Sequence, residues 1–350
     1  MMKKVSFYFF SGTGNSKAVV NWFSEEAKNH NIETNSIDIS KLEKRKGEKP
    51  LPKDIIGFCS PTHGFNFPPI MMHFIFRFPR STGNKAFIMN TRAGMKIGKL
   101  FVPGLSGIAL WLAALVLILK GYKIIGLRSI DLPSNWISLH PGMKENVVQS
   151  IFERRKKDVH QFAKTIISGK KSYKAFRDII QDLLITPISL GYYMVGRFVF
   201  AKSFIASHKC THCNLCIKQC PVNAIKLVDN RCFWTHKCES CMHCMNICPT
   251  RAIETAHGFV IGVAFIFYTI ILTWLYSIIG LNEIFETFLS PAMHYLTEVI
   301  FHAILFIFSL LSFYYVMHFL MHFKVFERFF VLTSLTTYKF WRRYLPHKAK

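Results

Sequence analysis

At 350 residues, 51% of them apolar and with a formal net charge of +24, the chain has room for two folded domains and further elements. The apolar excess gathers after His257, which points to membrane segments rather than to an unusually greasy core. The positive charge asks for an anionic partner. It is spread along the chain with no dense basic stripe or recognised nucleic-acid motif, which argues for lipid headgroups and against DNA or RNA.

Residues 4–10 (KVSFYFF) read as a buried strand running into the turn SGTGNS at 11–16, then a helix to about Lys28. Residues 32–39 read as a second strand and 41–53 as a charged connection. A third strand at 54–60 ends in the loop PTHGFNFPP. Strands four and five are expected at 85–91 and 123–130, and a long amphipathic helix from Met143 to about Ser168. Strand and helix alternate over 1–168, the signature of an α/β domain with a doubly wound, parallel, five-stranded sheet. Working loops in such sheets lie beyond the carboxyl ends of the strands.

Leu100–Leu119 carries no charge. A single crossing there would place two strands of one sheet on opposite sides of a membrane. The expectation is therefore a helix between strands four and five with an outer face apolar enough to touch lipid. Residues 169–206 read as a helical connector, packed or interfacial, interrupted by Pro187, Arg197 and Lys202.

The most specific signal is a repeat. Cys210-x2-Cys213-x2-Cys216-x3-Cys220-Pro221 recurs as Cys238-x2-Cys241-x2-Cys244-x3-Cys248-Pro249, each followed by an Ala–Ile pair. A cubane needs four thiolates, three from a tight turn and one from elsewhere. Zinc sites more often use two pairs of cysteines. In two-cluster ferredoxins the fourth cysteine of each run ligates the other cluster. By that rule one [4Fe–4S] cluster takes Cys210, Cys213, Cys216 and Cys248, and the other Cys238, Cys241, Cys244 and Cys220. This small α+β module occupies about 207–256. Cys59 and Cys232 stand outside the repeat and read as buried thiols. The first residues lack the apolar stretch of a secretory signal, so the ten cysteines suit a reducing cytoplasm.

Gly258–Leu281 and Val299–Phe323 are uncharged and long enough to cross a bilayer. The loop between them holds Glu283, Glu286 and Glu298 but no Lys or Arg, while Lys324, Arg328, Lys339, Arg342, Arg343, Lys348 and Lys350 follow. The positive-inside rule then predicts a transmembrane hairpin in the cytoplasmic membrane, with the soluble domains and basic tail in the cytoplasm. His257, His318 and His322 lie at the cytoplasmic ends of the spans, where a haem or quinone headgroup is an option beside simple interfacial histidines.

SGTGNS follows a strand and opens a helix, so its hydroxyls and turn amides suit a phosphate. A P-loop would need Gly-Lys-Ser/Thr at its end, and a dinucleotide fingerprint a small residue where Lys17 stands, although Asp38 is placed for a ribose. The strand, turn and later loops resemble flavodoxins, whose first loop holds the phosphate of FMN and whose loops after strands three and four flank the ring. The resemblance implies an FMN site made of Ser11, Gly12, Thr13, Gly14, Asn15 and Ser16, with Thr62, His63, Gly64 and Phe65 from the second loop and Thr91, Arg92 and Gly94 from the third. It also offers Phe67 as a stacking residue. The module order over 1–256, including LPSNW at 132–136 and Trp234, resembles bacterial two-[4Fe–4S] ferredoxins with an N-terminal flavodoxin-like domain. The expected function is membrane-anchored electron transfer between FMN and two clusters, to or from a redox protein or quinone at the membrane. A quinone-reducing oxidoreductase and a flavin-free ferredoxin subunit are the alternatives.

Overall fold

The computed structural model describes residues 4–42, 47–280 and 291–341. Part of the charged connection expected at 41–53, most of the acidic loop with Glu283 and Glu286, and Arg342, Arg343, Lys348 and Lys350 of the basic tail lie outside the described residues. Contacts divide the chain into two units. One comprises residues up to Tyr193 together with Glu239–Asn246, the other Met194–Cys238 and Ile247–Trp341.

In the first unit β1 (Lys4–Phe9) leads to α1 (Asn15–Asn29), β2 (Glu33–Asp38), β3 (Ile55–Pro61), α2 (Pro69–Arg77), β4 (Lys85–Ile97), β5 (Leu100–Val102), α3 (Ala109–Leu119), β6 (Lys123–Pro133), α4 (Glu145–Ile167) and α5 (Ile179–Gly191). The parallel strands run in the order β2-β1-β3-β4-β6, the doubly wound order with a switch point beside β1. The apolar runs of β1, β3 and β4 are buried on both faces, as a parallel sheet between helices requires. Phe7, Phe23, Phe87 and Phe162 meet edge-on or stacked at 4.9–6.4 Å and fill the space between the sheet and α1 and α4. Cys59 is fully buried there, as expected, and burial pushes its thiol up.

Two details differ from the sequence expectation. β4 continues to Ile97 and folds back on the short antiparallel β5, so the sheet has a sixth strand, and the helix expected over 100–119 begins only at Ala109. The apolar stretch after Pro68–Pro69 forms α2, its prolines suited to a first turn that needs no amide.

In the second unit β7 (Phe204–Ala206), β8 (Ile225–Val228), β9 (Arg231–Trp234) and β10 (Ile253–Thr255) form two antiparallel ribbons, β7 with β10 and β8 with β9. Helical turns run from His257 to Ile279, and a thirty-residue helix spans Pro291–Leu320. The second apolar helix thus starts earlier than Val299 and stops before Phe323, where the chain turns into the amphipathic helix Lys324–Leu332. Ile205, Phe233, Phe259, Tyr314, Met317 and Phe330 share one core. Tyr314 donates to the Phe204 carbonyl at 3.1 Å and accepts from the Trp234 amide at 3.3 Å. The ribbons and the inner ends of the apolar helices are therefore one packed body. Three helices, Lys174–Ala201, His257–Ile278 and Met293–Leu320, are long and apolar enough to cross a membrane.

Candidate functional site

A cavity of about 450 Å³ opens beyond the carboxyl ends of β1, β3, β4 and β6. Gly14, at φ 102°, caps α1 without any side-chain bond to the helix amides, and its own amide is held by Ser11 Oγ at 3.1 Å. The first-turn amides of α1 have no partner within the helix, and Ser11, Thr13, Asn15 and Ser16 at this turn line the cavity. Ser16 Oγ meets Thr91 Oγ1 at 2.9 Å, and the Thr91 carbonyl accepts from Thr62 N and Oγ1 at 2.9 and 3.3 Å. These bonds lock the three expected loops together.

Eleven of the thirteen residues assigned from the flavodoxin resemblance line this cavity. Gly14 and Gly94 do not. Gly94 instead packs where a Cβ would meet Asp131. Phe67 is fully buried beneath the loop rather than in the cavity. Arg92 lines the cavity, and part of its guanidinium is bonded within the protein. It donates to Asp131 at 2.7 Å, Asp178 at 2.6 Å and Ser106 at 3.2 Å. Through Nε and Nη1 its side chain ties β4, β6 and the segment before α5.

Sequence reasoning missed the fourth wall. The loop after β6 brings Trp136 over the cavity, its ring stacked on His63 with centroids 5.9 Å apart and beside Tyr192 at 5.6 Å. An aromatic platform thus comes from LPSNW, a stretch noted only for its likeness to a family. Cys241 also lines the cavity. The segment Glu239–Asn246 packs on the first loop within the same unit. Trp136 Nε1 donates to the Ser240 carbonyl at 2.8 Å, and His243 Nδ1 lies 2.6 Å from the Gly12 carbonyl. Any side chain at Gly12 would meet the Cys241 backbone. Asn15 Oδ1 and His63 Nδ1 are buried without a protein partner.

Burial lowers the His63 pKa to about 4, against a weaker raising effect of its bond to the Glu239 backbone. Unfolded, the ring titrates near 6.5 and takes up its proton first. The contribution to stability is therefore complete above about pH 6.5 and fades as pH falls toward 4, by about 3 kcal/mol in all. His63→Gln is expected to flatten the pH dependence of the thermal midpoint of detergent-solubilised protein across that window. An unchanged slope would show that His63 is not held neutral.

The cysteine runs repeat in backbone as in sequence. The residues flanking the middle cysteine take left-handed conformations in both, His212 and Asn214 in the first, Ser240 and Met242 in the second. Asn223 and Arg251, three residues past Cys220 and Cys248, do likewise. The amides of Ala224 and Ala252 donate to the sulfurs of Cys220 and Cys248, each at 3.2 Å. Such bonds stabilise a thiolate. All ten cysteines are free. Among the described residues no three His, Cys, Asp or Glu side chains gather as a single-ion site. Cys232, a buried thiol as expected, lies 3.8 Å from Cys216. Buried Lys202 donates to the Trp234 carbonyl at 2.5 Å under the rings of Phe233 and Tyr314. Burial lowers its pKa to about 8, with the Cys238 sulfur pulling the other way. His318 and His322 hold the carbonyls of Val228 and Asp229 at 3.2 and 3.0 Å, and His257 accepts from the Leu335 amide at 3.1 Å. These histidines pin the β8–β9 turn and the last helical turns to the apolar helices.

Residues 205–226, with Cys210, Cys213, Cys216 and Cys220, match the model of the 4Fe-4S binding domain. The chain carries a 4Fe-4S binding segment. The second run, Cys238–Cys248, lies beyond the matched residues and repeats the spacing. No curated protein matches this chain. Similar solved structures include a short-chain flavodoxin associated with a PDU bacterial microcompartment (15% identity, 46% of this chain and 99% of that one, TM-score 0.30). Flavodoxin 1 from Bacillus cereus (18%, 45% and 98%, 0.28) and the flavodiiron protein from Giardia intestinalis (13%, 48% and 38%, 0.29) also match. The first unit carries the doubly wound parallel strand order β2-β1-β3-β4-β6, and the matched 4Fe-4S segment follows it in the sequence.

Proposed function

We propose that the chain is a membrane-anchored electron-transfer protein that binds FMN in the cavity of the first unit and two [4Fe–4S] clusters on its eight repeated cysteines. The observation that carries this reading is Cys241, a cysteine of the second run, on the wall of the cavity made by the SGTGNS turn. Bound FMN would take electrons in pairs and pass them singly to clusters. The chain supplies the rest. The uncapped start of α1 with Ser11, Thr13 and Ser16 receives a phosphate, Trp136 and His63 cover a flat ring, and the unpartnered Asn15 Oδ1 and His63 Nδ1 await polar groups of a ligand. Two ribbons that share a core with the apolar helices support anchoring by the hairpin.

FMN titration followed by flavin fluorescence tests the cavity. Trp136→Leu is expected to weaken binding roughly tenfold, as loss of a stacked ring costs about 1 kcal/mol or more. Equal affinity of variant and wild type would remove the platform. In the same preparation, reduced FMN should reduce the clusters of wild-type protein faster than it does when the cavity is blocked. Equal rates would detach the cavity from the electron path.

A further inference from the structure

The helix from Lys174 to Ala201 is long and apolar enough to span, yet its own connections forbid it. Residues 202–238 contain no second candidate span, so a single crossing would carry everything after Ala201 to the far side. But Glu239–Asn246 packs within the unit of residues up to Tyr193, through His243 on Gly12 and Trp136 on Ser240. Both ends of the helix are therefore on one side of any bilayer.

The helix is amphipathic in an inverted sense. One side bonds inward to the first unit: Asp178 to Arg92, Gln181 to the Gly104 carbonyl, Asp182 to Trp111 Nε1 and Ser189 to the Phe65 carbonyl. The other side carries Ile180, Leu184 and Ile188, at i, i+4 and i+8, exposed by 73%, 77% and 58%. Trp111 of α3 joins the two helices, donating to Asp182 and meeting Phe176 edge-on at 4.9 Å. α3 adds Leu115, Ile118 and Leu119, all exposed. Lys123 follows α3 in the chain, and Lys170, Lys171 and Arg177 lie at the start of the second helix or just before it, all exposed, while Asp178 pairs with Arg92 and Asp182 is buried against Trp111. An apolar stripe with exposed cations next to it in the chain suits the boundary between acyl chains and anionic headgroups.

We propose that the face formed by α3 and the helix after Lys174 lies in the plane of an anionic bilayer, so that the flavodoxin-like unit rests on the membrane rather than hanging free of it. The proposal rests on the reading of the two later helices as a hairpin anchor. Full-length protein in phosphatidylglycerol-containing nanodiscs with nitroxide-labelled lipid separates the two. A genetically encoded fluorescent amino acid is placed at Leu184, at Phe265 on the hairpin, or at Lys28 on α1, which packs on the opposite face of the sheet with α4. The expected result is strong quenching at 184 and 265 and little at 28. Raising the salt or replacing the anionic lipid with phosphatidylcholine should reduce quenching at 184 and leave 265 unchanged. Quenching at 265 without quenching at 184 would overturn the proposal while leaving the anchor. Loss of quenching at both would overturn the anchor as well.

Discussion

Replacing Cys248 with serine is expected to delete the same cluster as replacing Cys213, and replacing Cys220 the same cluster as replacing Cys241. The reason lies in the ribbons. β10, just after Cys248, pairs with β7, just before Cys210, and the Ser207 amide donates to the Ala252 carbonyl at 2.8 Å. β8, just after Cys220, pairs with β9, just before Cys238, and the Thr235 amide donates to the Ala224 carbonyl at 2.8 Å. Each run is thus tied at its start to the tail of the other, the arrangement that exchanging the fourth ligand requires. Iron should fall from about eight to about four atoms per chain in each single variant. The residual cluster signal in electron paramagnetic resonance should be common to Cys248→Ser and Cys213→Ser, and to Cys220→Ser and Cys241→Ser. If Cys220→Ser instead resembled Cys213→Ser, each run would ligate its own cluster.

Gly12→Val is expected to impair FMN binding strongly. Position 12 has no room for a side chain, because a Cβ there would overlap the carbonyl and Cβ of Cys241. Overpacking of this kind costs about 1–3 kcal/mol, equivalent to roughly 5- to 150-fold in affinity when it falls on the binding loop. Gly262→Ala is the control, since nothing lies within 4 Å of its added Cβ and alanine suits a helix. Flavin fluorescence titration decides. Wild-type affinity in Gly12→Val would mean that the Cys241 segment does not press on the phosphate loop.

The parts legible in the sequence are those set by local rules. Strands buried on both faces announce themselves as apolar runs, which is why β1, β3, β4 and β6 lay close to their expected places. The SGTGNS turn and the cysteine spacing are short, dense patterns of residue types that few other chemistries need. What the sequence hid depends on long-range pairing. Arg92 reads as a spare donor until Asp131 and Asp178, 39 and 86 residues away, are seen to hold it. Trp136 is unremarkable until the loop after β6 stacks it on His63. Pro187 and the charges at Arg197 and Lys202 suggested an interrupted connector, whereas the helix runs through Pro187, with a π turn at Tyr192–Gly196 absorbing the irregularity. Leu100–Val102 looked helical by composition and became an edge strand because β4 overran its expected end.

Iron, acid-labile sulfide and flavin, measured per chain on anaerobically purified full-length protein, test the central claim most directly. About eight iron, about eight sulfide and about one FMN are expected. Zinc in place of iron, or iron without sulfide, would contradict it.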